Sequence, residues 1–153
     1  MIKLIVAVGF NNLIGNGNKM PWHIVEEFKH FKKMTMGHDL LFGKTTFLGL
    51  PKKLPGRKHI VLGSAETKGA DESITSLNEL QSVFKKYKNS DKTLFIAGGK
   101  SIYEQFYQFA DEIYVSEMKT NVQGDVFLNM DLSDYKKTQF DKQEKFTVYK
   151  YTK

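Results

Sequence analysis

Apolar runs of strand length alternate with segments of helical period along the chain. The first run, Ile2-Lys3-Leu4-Ile5-Val6-Ala7-Val8, is almost unbroken and rich in β-branched side chains. That is the pattern of a strand buried on both faces at the centre of an α/β sheet. Runs of the same kind recur at 39–42, 59–62, 93–97 and 112–118, with a shorter one at 73–75. Between them the period changes. A helix is predicted over 24–35, with Ile24, Phe28, Phe31 and Thr35 on one stripe and Glu26, Lys29, His30 and Lys33 outward. Gly43-Lys44-Thr45-Thr46 opens a short helix. Ser76 or Asn78 caps another, whose apolar face is Leu80, Val83, Phe84 and Tyr87. A fourth follows Gly98-Gly99, with Ile102, Phe106 and Phe109 on one side. The end of the chain reads as a hairpin. In its last strand, 146–151, Phe146 and Val148 oppose Thr147, Tyr149 and Tyr151. The pattern predicts an α/β fold: a central, mostly parallel twisted sheet with an antiparallel C-terminal strand, flanked by about four helices.

Composition narrows this picture. A chain of 153 residues with 41% hydrophobic content can bury a real core, so residues 1–153 are expected to form one domain. No apolar run approaches the roughly 20 residues of a membrane span. The absence of cysteine excludes disulfides, thiolate metal sites and cysteine nucleophiles, and fits a reducing cytosol. His23, His30, His38 and His59 have no metal-ligand spacing, so no metal is expected and the histidines read as solvated or core residues. The formal charge is +6, but the lysines are dispersed and form no basic block interleaved with aromatics, which argues against nucleic acid. Arg57 is the single arginine among many lysines. Its flat two-toothed donor suits a carboxylate or a phosphate; a random surface choice is equally compatible with composition.

Candidate chemistry concentrates in residues 14–31. Gly15-Asn16-Gly17-Asn18 can take backbone shapes closed to most residues and can move. Met20-Pro21-Trp22 stiffens the chain and carries the only tryptophan. Glu27 lies three after Ile24 and four before Phe31, at the margin of the apolar stripe. An acid in a first helical turn can serve the helix dipole, but Glu26 already does so from the outer face. A carboxyl against Phe28 and Phe31 would be pushed up by desolvation, which suits proton handling near neutral pH. Three segments suggest phosphate binding, and each misses the common templates. Gly15-Asn16-Gly17 lacks the third glycine of a dinucleotide fingerprint. Gly43-Lys44-Thr45 and Gly99-Lys100-Ser101 lack the first glycine of a P-loop, which excludes a P-loop kinase. What survives is strand ends feeding helix starts through glycine, beside Lys and hydroxyl groups, with Ser64 after a third strand. Together these suit a ligand with several phosphates, such as NADPH.

At this point the chain resembles dihydrofolate reductase of the bacterial chromosomal type. The resemblance rests on Ile14-Gly15, Met20-Pro21-Trp22, Phe31-Lys32, Thr35, Gly43 with Thr46, Leu54-Pro55-Gly56-Arg57-Lys58, Gly98-Gly99, Ile102-Tyr103-Glu104-Gln105-Phe106 and Gly124-Asp125. These segments keep the family's order and spacing over nearly the whole chain. The resemblance implies NADPH-dependent reduction of 7,8-dihydrofolate to tetrahydrofolate in one-carbon metabolism. It implies a cytoplasmic monomer that binds antifolate inhibitors but neither nucleic acid nor membrane.

The same resemblance assigns residues. Glu27, at the family's active-site acid, with Trp22 and Ser116, would be catalytic. Ile5, Val6, Ala7, Phe28, Phe31, Leu50, Lys52, Leu54, Ala97, Tyr103 and Ser116 would form the substrate pocket, and Arg57 would clamp the substrate's glutamate α-carboxylate. Residues 15–20 would be the loop that closes over nicotinamide and pterin. For the cofactor, Ala7, Ile14, Gly15, Asn18, Lys19 and Met20 would meet the nicotinamide end. Gly43, Thr45, Thr46, Ala97, Gly98, Gly99, Lys100, Ser101, Ile102 and Tyr103 would hold the pyrophosphate and its surroundings. Lys44, with Leu62, Gly63 and Ser64, would face the 2′-phosphate. Gly98-Gly99 would be joined by a cis peptide. Ala97 stands where a branched residue is usual, which implies a roomier pocket and altered binding of diaminopyrimidine inhibitors.

Overall fold

The computed structural model describes residues 1–15, 21–120 and 122–153. Eight strands form one sheet. In chain order they are β1 (Ile2–Val8), β3 (Asp39–Gly43), β4 (Lys58–Leu62), β5 (Glu72–Ile74), β6 (Leu94–Ile96), β7 (Glu112–Met118), β9 (Lys136–Lys142) and β10 (Phe146–Thr152). Their spatial order is β5-β4-β3-β6-β1-β7-β10-β9. A separate ribbon pairs β2 (Leu13–Gly15) with β8 (Val126–Phe127). The helices are α1 (Val25–Thr35), α2 (Lys44–Leu48), α3 (Leu77–Lys88) and α4 (Lys100–Phe106).

Every pairing from β5 to β7 is parallel, and only β10 runs against its neighbours β7 and β9. The mostly parallel sheet with an antiparallel C-terminal strand is thus as the sequence pattern predicts. Because the central strands run one way, Val8, Gly43, Leu62, Ile96 and Met118 all finish at the same edge, where ligands of open α/β sheets bind.

Alternation along the strands sorts the core into two layers. Ile5 on β1 packs with Leu40, Phe42, Phe47, Phe95, Phe146 and Val148 on the side covered by α1 and α2. Leu4, Val6 and Val8 pack with Leu41, Ile96, Leu80, Phe84, Ile102 and Phe106 on the side covered by α3 and α4. The period-2 geometry of a strand requires this split. Ser76, not Asn78, caps α3: its hydroxyl accepts from the Glu79 N–H at 3.2 Å.

Two helical details differ from the sequence reading. The stripe of α1 that faces the sheet is Glu27, His30, Phe31, Met34 and Thr35, rotated from the predicted one. His30, expected outside, is buried with its ring 6.0 Å from that of Phe146, because the C-terminal hairpin widens the surface that α1 covers. Phe28, expected inside, is 41% exposed, with its ring 5.1 Å from that of His23. At the other helix, α4 stops at Phe106. Phe109 falls in a following 3-10 turn, where its ring stacks on Phe84 at 5.1 Å.

Candidate active site

The first turn of α1 carries Glu27 to the α1 side of the sheet edge, and only 6% of the residue is exposed. Among the described residues no hydrogen bond or ion pair reaches its carboxyl group. Desolvation therefore acts unopposed, and burial pushes the acid from 4.5 up to about 7. A group held there can exchange a proton at neutral pH. Its charge also reaches the Tyr103 phenol, which burial, and secondarily Glu27, pushes far up, so Tyr103 stays a neutral donor. That hydroxyl donates to the Ile5 carbonyl at 2.8 Å and ties α4 to β1 beneath the edge.

Trp22 closes the same space. Its ring is buried among the Ile5 and Phe42 layer and lies so close to Gly9 that a Cβ there would meet indole Cζ3 at 3.2 Å. Its indole Nε1 is buried and lacks a hydrogen-bond partner among the described residues. Ser116 is also buried and sits in register between Ala7 of β1 and Val148 of β10. Ala97, Phe31, Leu50 and Leu54 join the same layer; Lys52 projects from the exposed turn after α2. Val6 departs from the rest. Alternation sends its side chain to the α3/α4 layer with Ile102 and Tyr103, so only its main chain can face a ligand beside Ile5.

Arg57 stands at the outer end of this pocket. Its Nε donates to the Pro55 carbonyl at 3.0 Å, and Nη1 donates to Thr35 Oγ1 at 3.1 Å. Thr35 is itself fixed by donating to the Phe31 carbonyl at 2.7 Å. No acid pairs with Arg57 among the described residues, so the outer guanidinium N–H groups remain for an anionic ligand. The sequence singled out Arg57 but not Thr35 as part of its mounting. The signal available was Thr35 on the same helix stripe as Phe31.

On the other side of the edge lie the glycine segments expected at the cofactor's phosphates. Gly43 N–H donates to the Gly98 carbonyl at 2.8 Å, joining the ends of β3 and β6. The Gly98–Gly99 peptide is cis, as the resemblance implied. A Cβ at Gly99 would meet Thr46 Oγ1 at 2.6 Å, and one at Gly43 would meet Ile102 Cγ1 at 3.0 Å. Neither α2 nor α4 has a side-chain cap on its first turn. Lys44, Thr45 and Thr46 stand in the first turn of α2 and Lys100 and Ser101 in that of α4, and uncapped backbone N–H groups at a helix start attract anions. Leu62 ends β4, and Gly63 and Ser64 follow it. A Cβ at Gly63 would lie 3.2 Å from the Lys44 stem, which brings the residues after β4 beside the start of α2. Ile14 and Gly15 lie on β2, and Asp125 N–H donates to the Gly15 carbonyl at 3.1 Å. Asn18, Lys19 and Met20, expected at the nicotinamide end, lie outside the described residues.

A buried acid without a partner among the described residues thus stands on one side of a parallel-sheet edge, and two uncapped helix starts entered through glycine stand on the other, the arrangement of an α/β fold with its site at the strand ends. Comparison with known proteins narrows this class. The family model described as "Dihydrofolate reductase" matches residues 1–153. The dihydrofolate reductase of Mycoplasma genitalium is 38% identical, with 100% of this chain and 98% of the relative covered. That of Ureaplasma parvum is 35% identical, covering 99% and 97%. The solved structure of dihydrofolate reductase from Enterococcus faecalis, complexed with NADP(H) and RAB-propyl, superposes with a TM-score of 0.81. It is 26% identical and covers 99% of this chain and 93% of that one. The chain belongs to the dihydrofolate reductase family.

Proposed function

We propose that this chain carries out its family's reaction, the NADPH-dependent reduction of 7,8-dihydrofolate to 5,6,7,8-tetrahydrofolate, with Glu27 as its acid. The observation that carries the reading is the buried, unpaired Glu27, held at about 7 beside the sheet edge. NADPH, when bound, supplies the hydride that adds to pterin C6. Glu27 anchors the pterin's amino and ring N–H groups, and its pKa lets it promote protonation of N5 through water. Trp22 and Ser116 wall the pterin; Trp22 Nε1, a buried donor without a protein partner, suits a hydrogen bond to water or ligand there. Ile5, Ala7, Phe28, Phe31, Leu50, Leu54, Ala97 and Tyr103 line the pocket, with the Val6 main chain and Lys52 at its margins. Arg57 holds the glutamate carboxylate.

For the cofactor, Gly43, Thr45, Thr46, Gly98, Gly99, Lys100, Ser101 and Ile102 bind the pyrophosphate region. Lys44, with Leu62, Gly63 and Ser64, receives the 2′-phosphate. Ala7, Ile14, Gly15, Asn18, Lys19 and Met20 face the nicotinamide. The close packing of Gly99 on Thr46 supports this reading, since any side chain at Gly99 would push Thr46 out of place. The protein acts as a single-domain cytoplasmic monomer on a small-molecule substrate, and antifolates compete for the pterin pocket. No helix among the described residues is long and apolar enough to cross a membrane.

The deciding assay follows NADPH absorbance with purified protein. Loss strictly dependent on added dihydrofolate, and blocked by a diaminopyrimidine, supports the reading. No loss with dihydrofolate overturns it.

A further inference from the structure

His59 is the second residue of β4, two after Arg57, and its side chain is fully buried. The ring lies nearly parallel to that of Phe42 at 6.0 Å and edge-on to Phe47 at 5.7 Å, so β3 and α2 lock its orientation. Its Nε2 accepts from the Leu54 N–H at 3.1 Å. An imidazole that accepts at Nε2 and is neutral must carry its proton on Nδ1. Nδ1 lies 3.5 Å from Asp71 Oδ2 without a hydrogen bond to it, and the same oxygen accepts from the His59 N–H at 2.7 Å. Asp71 Oδ1 in turn accepts from Lys53 Nζ at 2.7 Å. The charged groups facing the ring are therefore Asp71 and, behind it, Lys53. Burial lowers the imidazole's pKa against the opposing pull of Asp71.

Leu54 belongs to the pocket layer and Arg57 lies three residues on, with Pro55 between them supplying the carbonyl that Arg57 Nε grips. The segment from 54 to 57 is thus pinned at one end by His59 and at the other by Thr35. We propose that His59 is a positioning residue for the tail of the substrate. As the neutral Nδ1–H tautomer it anchors Leu54, and through the 54–57 turn it sets Arg57. Protonation of His59 turns its acceptor into a donor and releases that anchor. The inference rests on the reading of the site as a dihydrofolate pocket. It adds a residue that touches no ligand yet governs recognition of the aminobenzoylglutamate half, leaving the pterin half to Glu27.

The test compares two substrates: dihydrofolate, and 6-methyl-7,8-dihydropterin, which has the pterin but no tail. His59→Phe keeps the ring's bulk and removes the acceptor. KM for dihydrofolate is expected to rise about fivefold to tenfold, the scale of one buried donor left unsatisfied, while kcat and KM for NADPH stay within about twofold. KM for the methylpterin is expected not to change. His59→Asn, which retains a neutral acceptor, should recover part of the loss. In the wild-type protein, lowering pH through the titration of His59 should raise KM for dihydrofolate more than for the methylpterin. Both substrates share Glu27, so its titration cancels in the ratio. Nitrogen NMR of the imidazole gives a readout that survives poor folding of a variant: Nδ1 should be protonated and Nε2 bare at neutral pH. Equal losses for both substrates, no loss for either, or the opposite tautomer would each overturn the proposal. Failure of the underlying reading looks different, because wild-type protein would then turn over neither pterin.

Discussion

Replacing Glu27 with Gln removes a charge from the fold and a proton donor from the reaction, and the two losses have opposite signs. A carboxyl raised from 4.5 to about 7 has its charged form disfavoured in the folded state by about 3 kcal/mol, at about 1.4 kcal/mol per pH unit. Below pH 4.5 the acid is neutral in both folded and unfolded chains, and Glu27 causes no loss. As pH rises from 4.5 towards 7 the unfolded chain gives up its proton first, so stability falls. Above 7 the full deficit is present. Gln carries no such deficit. Glu27→Gln should therefore match wild type in Tm at pH 4 and exceed it at pH 8 by about 6–12 °C for a chain of this size. Turnover should move the other way. It should fall about a hundredfold or more at pH 8, and less at pH 5.5, where the substrate is more readily protonated without help. Thermal unfolding at the two pH values and steady-state rates across the same range read both effects. A Tm difference of equal size at pH 4 and pH 8, or near-normal turnover at pH 8, would refute the assignment of a buried, unpaired proton donor.

Other substitutions separate the remaining parts of the site. Arg57→Gln should raise KM for dihydrofolate about 10–100-fold by removing a charge-assisted pair, and leave KM for NADPH unchanged; a parallel rise in both would refute the clamp. Gly99→Ala forces a methyl group to within 2.6 Å of Thr46 Oγ1. It should cost about 1–3 kcal/mol of stability and raise KM for NADPH, with Thr46→Ala restoring the stability but not the affinity. Ala97→Ile should change diaminopyrimidine inhibition, because Ala97 packs in the layer of Ile5, Trp22 and Phe42; unchanged inhibition would remove the argument for a roomier pocket.

The strands and the direction of the sheet were legible because unbroken β-branched runs have few other uses. Periodicity could not set the rotation of α1. The apolar pattern favoured Phe28, while the structure turns in Glu27 and His30, and His30 is buried against Phe146 of a hairpin more than a hundred residues later. Glu27 was found through its conflict with the apolar stripe and Arg57 through its rarity; both are local signals. The mounting of Arg57 was not legible. Thr35 and His59 hold the 54–57 turn from a helix and a strand that only the tertiary fold brings together, and Asp71 lies twelve residues beyond His59 with no period to link them. Val6 shows a further limit. The resemblance grouped it with Ile5 and Ala7 in the pocket, but adjacent strand residues point to opposite faces.

That last feature bears on how the chain can change over generations. Along β1, Ile5 belongs to the layer beneath the proposed pterin pocket, and Val6 and Val8 belong to the layer of α4 beneath the proposed phosphate site. One strand therefore acts as a partition between two sites that can drift separately. A substitution at Ile5 alters one wall and leaves the other intact. The same strand has no tolerance for a change of length. Inserting or deleting a single residue within it would exchange the two walls at once and void both sites together. Change in β1 that spares either wall must therefore come from replacement of side chains and not from a change of length.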